Sequence, residues 1–496
     1  MTGNTTNRNI FIASFLTLIA EGIGFGVRAG VLGDWGSQFG FTKTDLGTIT
    51  GGGLVGFGVT IIICSFFLDR VGYKPLLVAA FILHVGSVLV TLAATPIYNA
   101  MGGTVAARGA TYWCLYIGMF MFALANGLCE AVINPLVATL YSRQKTHYLN
   151  ILHAGWPAGL VIGGMIAFCF VGNGAAIVHL RWEISMAMFL VPTLAYGFIA
   201  LKEKFPMSEA RVAGVSFGEM LSQFASPLLL MLMVIMAMIG YVELGTDSWI
   251  SNITANVIAK YSLILFVYTS ALMFVLRFFA GPIVERINPL GLLCVAAVLG
   301  AIGLTFLGFA ASLITMFLAA TVYAMGKTFF WPTMLGVVGE RFPKGGAMVM
   351  GTVGGIGMLS AGLLGGPGIG YQQDYFASNQ LKAESPATFD RYVSKEHNQF
   401  LFFPEISGLD GAKVGALEES IAAKKAADQP LTPEQASDED LVLGARLYGG
   451  RMALRWTAAI PATMAVLYLL LVVYFRSTGG YKQVTLPAAV VGPSEY

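Results

Sequence analysis

The sequence predicts an all-α membrane protein of twelve transmembrane helices in two pseudo-symmetric six-helix bundles. Three observations carry that prediction. Of 496 residues, 56% are hydrophobic and only 11% charged, whereas a soluble globular domain carries roughly 25% charge. Apolar runs long enough to cross a bilayer, about 20 residues each, recur along the chain. A polar, amphipathic stretch at 202–226 divides those runs six and six.

The runs fall at 9–33, 45–68, 75–95, 111–141, 149–171, 183–201, 227–250, 258–284, 289–310, 312–336, 346–370 and 453–475. They set an N-terminal bundle at 1–201, a cytoplasmic linker at 202–226 and a C-terminal bundle at 227–496. Sixty glycines suit helices that approach closely within lipid. Alternate short loops concentrate basic residues: Arg70 and Lys74, Arg143 and Lys145, Lys202 and Lys204, then Arg341 and Lys344. Arg108, Arg181 and Lys260 run against that trend. The positive-inside rule then places both termini in the cytoplasm, in a multi-pass protein of the cytoplasmic (inner) membrane. One connection is long and polar, the stretch 371–451, which parity puts outside as an extracytoplasmic insert. Helices are expected within it over Val414–Ala427 and from Thr432-Pro433-Glu434, a good start signal.

Several function classes drop out. A net charge of +2 without a basic tract gives no reason to expect nucleic acid. The five cysteines lie in or beside apolar runs without metal-type spacing and read as packing residues. No nucleophile–base pair or phosphate loop stands out, so the expectation is no enzyme, no cofactor and no metal. The expected partners are the lipid bilayer and a small-molecule substrate, with the protein a monomer.

Glu130 is the most informative single residue. It sits in the otherwise apolar stretch Met119–Leu140, and ionisable groups at such depth usually mark an ion path, a proton relay or a substrate site. Pro135 follows five residues later, and in the second half Lys327 stands five residues before Pro332. The halves echo each other further. Asp69-Arg70-Val71-Gly72 after the second run matches Glu285-Arg286-Ile287-Asn288 after the eighth, and the pairs Gly163-Gly164 and Gly365-Gly366 close the fifth and eleventh. Such echoes are the mark of transporters built from repeats.

These features resemble the major facilitator superfamily. Its cytoplasmic Asp-Arg-x-Gly-x-Lys core is matched by Asp69, Arg70, Gly72 and Lys74, with Ser65 where the family usually opens on glycine. Within it the chain is most similar to the fucose:proton symporter type of sugar transporter. Four segments carry that likeness: Asn126 to Pro135, Tyr241 to Trp249, Arg277 to Gly281, and Trp331-Pro332-Thr333. The acid this group carries in its first span is not at its usual place; Glu21 lies elsewhere on the helix and Arg28 stands nearby.

The resemblance implies alternating access and symport of a small polar solute, a sugar, coupled to a proton or to sodium. Glu130 is the expected coupling acid, with Arg28 as its partner or as the grip for an anionic group, and Glu21 two turns away on a similar face. Asn134 is a hydroxyl partner and His153 a proton relay. Glu243 and Lys327 are the second-half candidates, with Asp247 one turn beyond Glu243. Trp156, Trp249 and Trp331 offer ring faces to a sugar. His84 reads as an interhelical hydrogen-bond former. Asp69, Arg70, Gly72 and Lys74 form the expected inner gate, repeated weakly by Glu285 and Arg286. Two rival readings stand beside this one: an organic or inorganic anion carrier using Arg28, and a transporter-derived sensor or docking protein that acts through the insert.

Overall fold

The computed structural model describes residues 2–41, 43–51, 53–171, 175–258 and 261–486. Lys260, one of the basic residues against the loop trend, lies outside them. The first half contains α1 (Thr2–Phe39), α2 (Gly53–Val71), α3 (Tyr73–Ala100), α4 (Val105–Leu140), α5 (Lys145–Phe170) and α6 (Trp182–Lys202). The second contains α7 (Pro227–Ala255), α8 (Ser262–Arg277), α9 (Ala280–Phe309), α10 (Leu313–Arg341), α11 (Pro343–Glu384) and α12 (Pro433–Ser477). Among the described residues, eleven helices are long and apolar enough to cross a membrane, and Ser262–Arg277 is a shorter apolar helix.

The eighth crossing is interrupted rather than short. Asn288, at φ 57° and ψ 168°, breaks α9 internally, so residues 280–287 continue the eighth crossing and 289–309 form the ninth. The corresponding turn of the first half is Gly72, at φ 90° and ψ 164°. Glycine enters this region of positive φ and extended ψ freely, whereas for asparagine, whose allowed positive-φ well lies at ψ of about 30–60°, it is strained. The two loops that echo each other in sequence therefore bend through matching backbone geometry.

Small residues set the distances between helices. A Cβ on Gly22 of α1 would stand 2.4 Å from the Trp156 carbonyl of α5. One on Gly240 of α7 would stand 1.8 Å from the Gly357 carbonyl of α11. The halves meet where α2 packs on α11 and α5 on α8. Large apolar side chains such as Ile63, Phe67, Ile82 and Leu89 face outward, as a lipid-solvated surface requires.

The stretch 371–451 is largely a continuation of its flanking helices. α11 runs on to Glu384 and α12 begins at Pro433, because the two pack against each other beyond the membrane; a Cβ on Gly449 would stand 2.4 Å from the Gln373 carbonyl. Between them come helix Gly411–Ala426 and an antiparallel pair, β1 (Val393–Asn398) and β2 (Ile406–Leu409). Leu381, Val414, Leu417, Ile421 and Val442 give this appendage a core of its own. The Thr432 hydroxyl and the Gln435 side chain form the capping box that starts α12.

Candidate functional site

An open cavity of about 920 Å³ lies between the halves. Of the residues singled out by sequence, Arg28, Glu130, His153, Trp156, Glu243, Asp247 and Trp331 line it. Its floor is a set of buried charges assembled from four helices, and prolines explain how that floor is built.

A proline has no N–H, so the carbonyl four residues earlier loses its helical donor. Pro157 frees the carbonyl of His153 in α5, and Pro332 frees that of Thr328 in α10. Both are taken by one side chain. Arg277 Nη1 donates to the His153 carbonyl, and Nε donates to that of Thr328 at 2.9 Å. Its Nη2 lies 3.4 Å from Glu243 Oε1. Arg277 is 1% exposed and joins α8 to α5, α7 and α10. In the sequence Arg277 opens the segment Arg277 to Gly281 but stands outside the expected site. The signal was present, since a guanidinium in an apolar run always needs a partner.

Glu130 is held differently. Asn134 Nδ2 donates to Glu130 Oε2 at 2.5 Å and to its carbonyl at 2.9 Å, while Asn134 Oδ1 accepts from His153 Nε2 at 2.8 Å. Among the described residues Glu130 has no ion pair within 4.0 Å. The expected Arg28 partnership is therefore corrected. Arg28 is seven residues beyond Glu21, about 10 Å along the axis; the charged groups in electrostatic reach of Glu130 are Glu21 and, beyond ion-pair distance, Arg277. Glu21 does not line the cavity. It is fully buried beside Cys129, and neither carboxyl oxygen meets an N–H or O–H donor.

Arg28 faces the cavity half-buried, its guanidinium 4.8 Å from the centre of the Phe25 ring. Among the described residues it makes no ion pair and no hydrogen bond. Lys327 is bonded to Asp247 Oδ1 at 2.5 Å, behind the wall rather than on it. Trp249 is also corrected. Its indole N–H donates to the Gly366 carbonyl at 2.8 Å, so the ring fastens α7 to α11 and lines a groove toward the insert instead of the cavity. His84 bridges Tyr196 and Asn126, each at 2.8 Å.

The loop face with Lys74, Arg143 and Lys344 is sealed by bonds between the halves. Thr146 donates to Glu340 Oε1 through Oγ1 at 2.6 Å and through its main-chain N–H at 3.3 Å. Asn150 reaches Thr333 at 3.1 Å, and Lys145 reaches the Gly339 carbonyl at 3.2 Å and Glu209 at 2.5 Å. Gln483 donates to the Ser142 carbonyl at 2.6 Å. On the side away from that face the cavity is lined by Arg28, Gly53 and Phe266.

Of the expected gate residues, Asp69 accepts from Ser208 at 2.5 Å. Its second oxygen is 3.2 Å from where a Cβ on Gly346 would stand, at the start of the helix Gly346–Ser360 of the other half, a favourable place for an anion. Lys74 caps the end of α6 through the carbonyls of Leu201 (2.8 Å) and Glu203 (3.0 Å). Arg70 lies over the Phe217 ring, and Gly72 supplies the turn. In the second half Glu285 and Arg286 make no ion pair within 4.0 Å among the described residues, and Glu285 lies in electrostatic reach of His147 of the first half. The carboxylate that sits on a helix start across the halves is Glu340, on the first turn of α5. Glu340 and Thr146 lie outside the motif, and Lys145 stands out in the sequence only as a loop base, so none of the three carries a local gate signal.

A family model described as the Major Facilitator Superfamily matches residues 10–366. No protein of curated function matches the sequence. Among solved structures the chain is similar to the E. coli fucose:proton symporter FucP, at 13% identity over 93% of this chain and 98% of that one, with TM-score 0.59. It is similar to the E. coli proton:xylose symporter XylE at 14%, 95% and 96%, with TM-score 0.60. The human organic anion transporter MFSD10 gives 13%, 93% and 99%, with TM-score 0.57. At these identities the likeness is one of fold: twelve helices in two six-helix halves.

Proposed function

The chain belongs to the major facilitator superfamily, and we propose that it moves a small polar solute across the cytoplasmic membrane by alternating access, as a proton-coupled symporter. The likeness to two sugar:proton symporters supports a solute of the sugar class. The basic loops on the sealed face support a cytoplasmic position for that face and for both termini. The cavity then opens outward, ready to load.

One observation carries the coupling assignment. Glu130 lines the cavity and is 6% exposed, yet it is held by an amide rather than by a cation, whereas Glu243 and Asp247 each face one. A buried carboxylate without a paired cation is costly to keep ionised, so taking up a proton costs little rearrangement. Glu21, buried behind it without an N–H or O–H donor, adds a second carboxyl that resists sharing the space with another anion. His153 and Asn134 orient Glu130, and alternation moves its water access from one face to the other. The test uses purified protein in vesicles. Glu130→Gln is expected to keep solute exchange at zero gradient and to lose accumulation driven by a proton gradient. Accumulation at the wild-type level would overturn the role.

A further inference from the structure

We infer that the solute carries a negative charge, making it a sugar acid instead of a neutral sugar, and that Arg28 and Asn126 hold it on the first-half wall of the cavity. The inference rests on the transport reading above and names its substrate class.

The first observation is a cation without a counter-ion. Arg277 and Lys327 each meet a carboxylate. Among the described residues Arg28 meets only the face of Phe25. A guanidinium stays charged at any relevant pH and carries five N–H donors in a fixed fork. In the wall of a solute cavity, that fork is matched by a carboxylate arriving from solution. A single free guanidinium fits a single negative charge.

The second observation is an aimed amide nearby. A Cβ built on Gly53 would stand 3.8 Å from Arg28 Nη1 and 3.7 Å from the Ala123 Cβ, so Arg28 and Ala123 both flank Gly53. Asn126 lies three residues further along α4, about 4.5 Å by helical rise. Its Oδ1 is occupied by His84, whose other ring nitrogen is bonded to Tyr196. With the oxygen fixed, Asn126 Nδ2 makes no hydrogen bond among the described residues and is left for the cavity. Arg28 and Asn126 both line this cavity, so one hexuronate can offer its carboxylate to the first and a ring hydroxyl to the second, with Trp156 and Phe122 offering apolar ring faces.

The charges also link solute to proton. Glu243 and Asp247 also face the cavity but are matched by Arg277 and Lys327, and Glu21 lies behind Glu130. With Glu130 protonated, the anion and Arg28 neutralise each other. With Glu130 ionised, a second negative charge faces the solute and weakens its binding, so proton and anion favour each other's binding by the same factor.

The test measures binding of glucuronate, gluconate, glucose and fucose to the purified full-length protein, at mildly acidic and mildly alkaline pH. The acids are expected to bind, more tightly at acidic pH, and the neutral sugars not to. Arg28→Gln is expected to weaken glucuronate about tenfold to a hundredfold, with Arg28→Lys recovering part of it. Because Arg28 bonds no other described residue, unliganded Arg28→Gln should unfold at the wild-type temperature. Failure of both acids to bind, or equal binding by Arg28→Gln, overturns the inference. Proton-driven uptake of a neutral sugar that survives Arg28→Gln also overturns it and leaves the symport reading standing. Glucuronate binding that needs Arg28, without proton-driven uptake, overturns the symport reading and leaves the anion site.

Discussion

The guanidinium of Arg277 donates to the main-chain carbonyl of His153, tying the second half of the molecule to the bend in α5. That carbonyl is open because Pro157 has no N–H to return to it, and Pro332 opens the carbonyl of Thr328 to the same guanidinium. Two prolines in different halves thus create the acceptors that keep a buried arginine satisfied.

The proline relation predicts energetic coupling. Arg277→Gln leaves Glu243 buried without its cation and should cost about 3 kcal/mol of stability. Pro157→Ala gives the His153 carbonyl a helical donor and reduces its need for Arg277. A double-mutant cycle read by chemical unfolding in detergent should show coupling of about 1 kcal/mol between the two sites. Strict additivity would refute the relation.

Lys327 and Asp247 make a second prediction. At 2.5 Å and with side chains 3% and 12% exposed, each depends on the other. Lys327→Ala alone should destabilise the protein by about 3 kcal/mol through the stranded carboxylate. The double variant Lys327→Ala with Asp247→Ala should recover most of that loss and much of the transport rate. No recovery of stability in thermal unfolding would show that the pair is not what Lys327 serves.

The sealed face makes the third. Asp69 and Glu340 each place a carboxylate on the first turn of a helix in the opposite half, worth about 1 kcal/mol apiece. Asp69→Asn and Glu340→Gln should together shift the population toward opening on that face. Spin labels on Ser142→Cys and Lys344→Cys, one in each half, should report a growing long-distance population. An unchanged distance distribution in the double variant would remove both residues from the gate.

The positions of the charged residues along the helices were legible, and their partners were not. Glu130, Arg28, Lys327 and Glu243 stand out because an ionisable group in an apolar run is conspicuous. Pairing them required knowing depth and rotation, and those come from packing. Arg28 misses Glu130 because α1 carries it seven residues past Glu21. Trp249 turns away from the cavity because the π-helical turn Tyr241–Gly245 packs against the matching turn Ala361–Gly365 of α11. Glu340 was not legible because the echo in the loop points to Glu285 instead.

By itself the sequence determined the membrane class, the division into six and six spans, and the repeat, because these depend on hydropathy, length and local spacing. It also determined where carbonyls are freed, since a missing N–H is a property of proline alone. Only the tertiary structure decided which side chain takes those carbonyls, which cavity acid is held by an amide and which arginine is left open to the cavity. Those outcomes depend on distances of a few ångströms between helices far apart in the chain, set by close contacts such as Gly22 on Trp156 and Gly240 on Gly357.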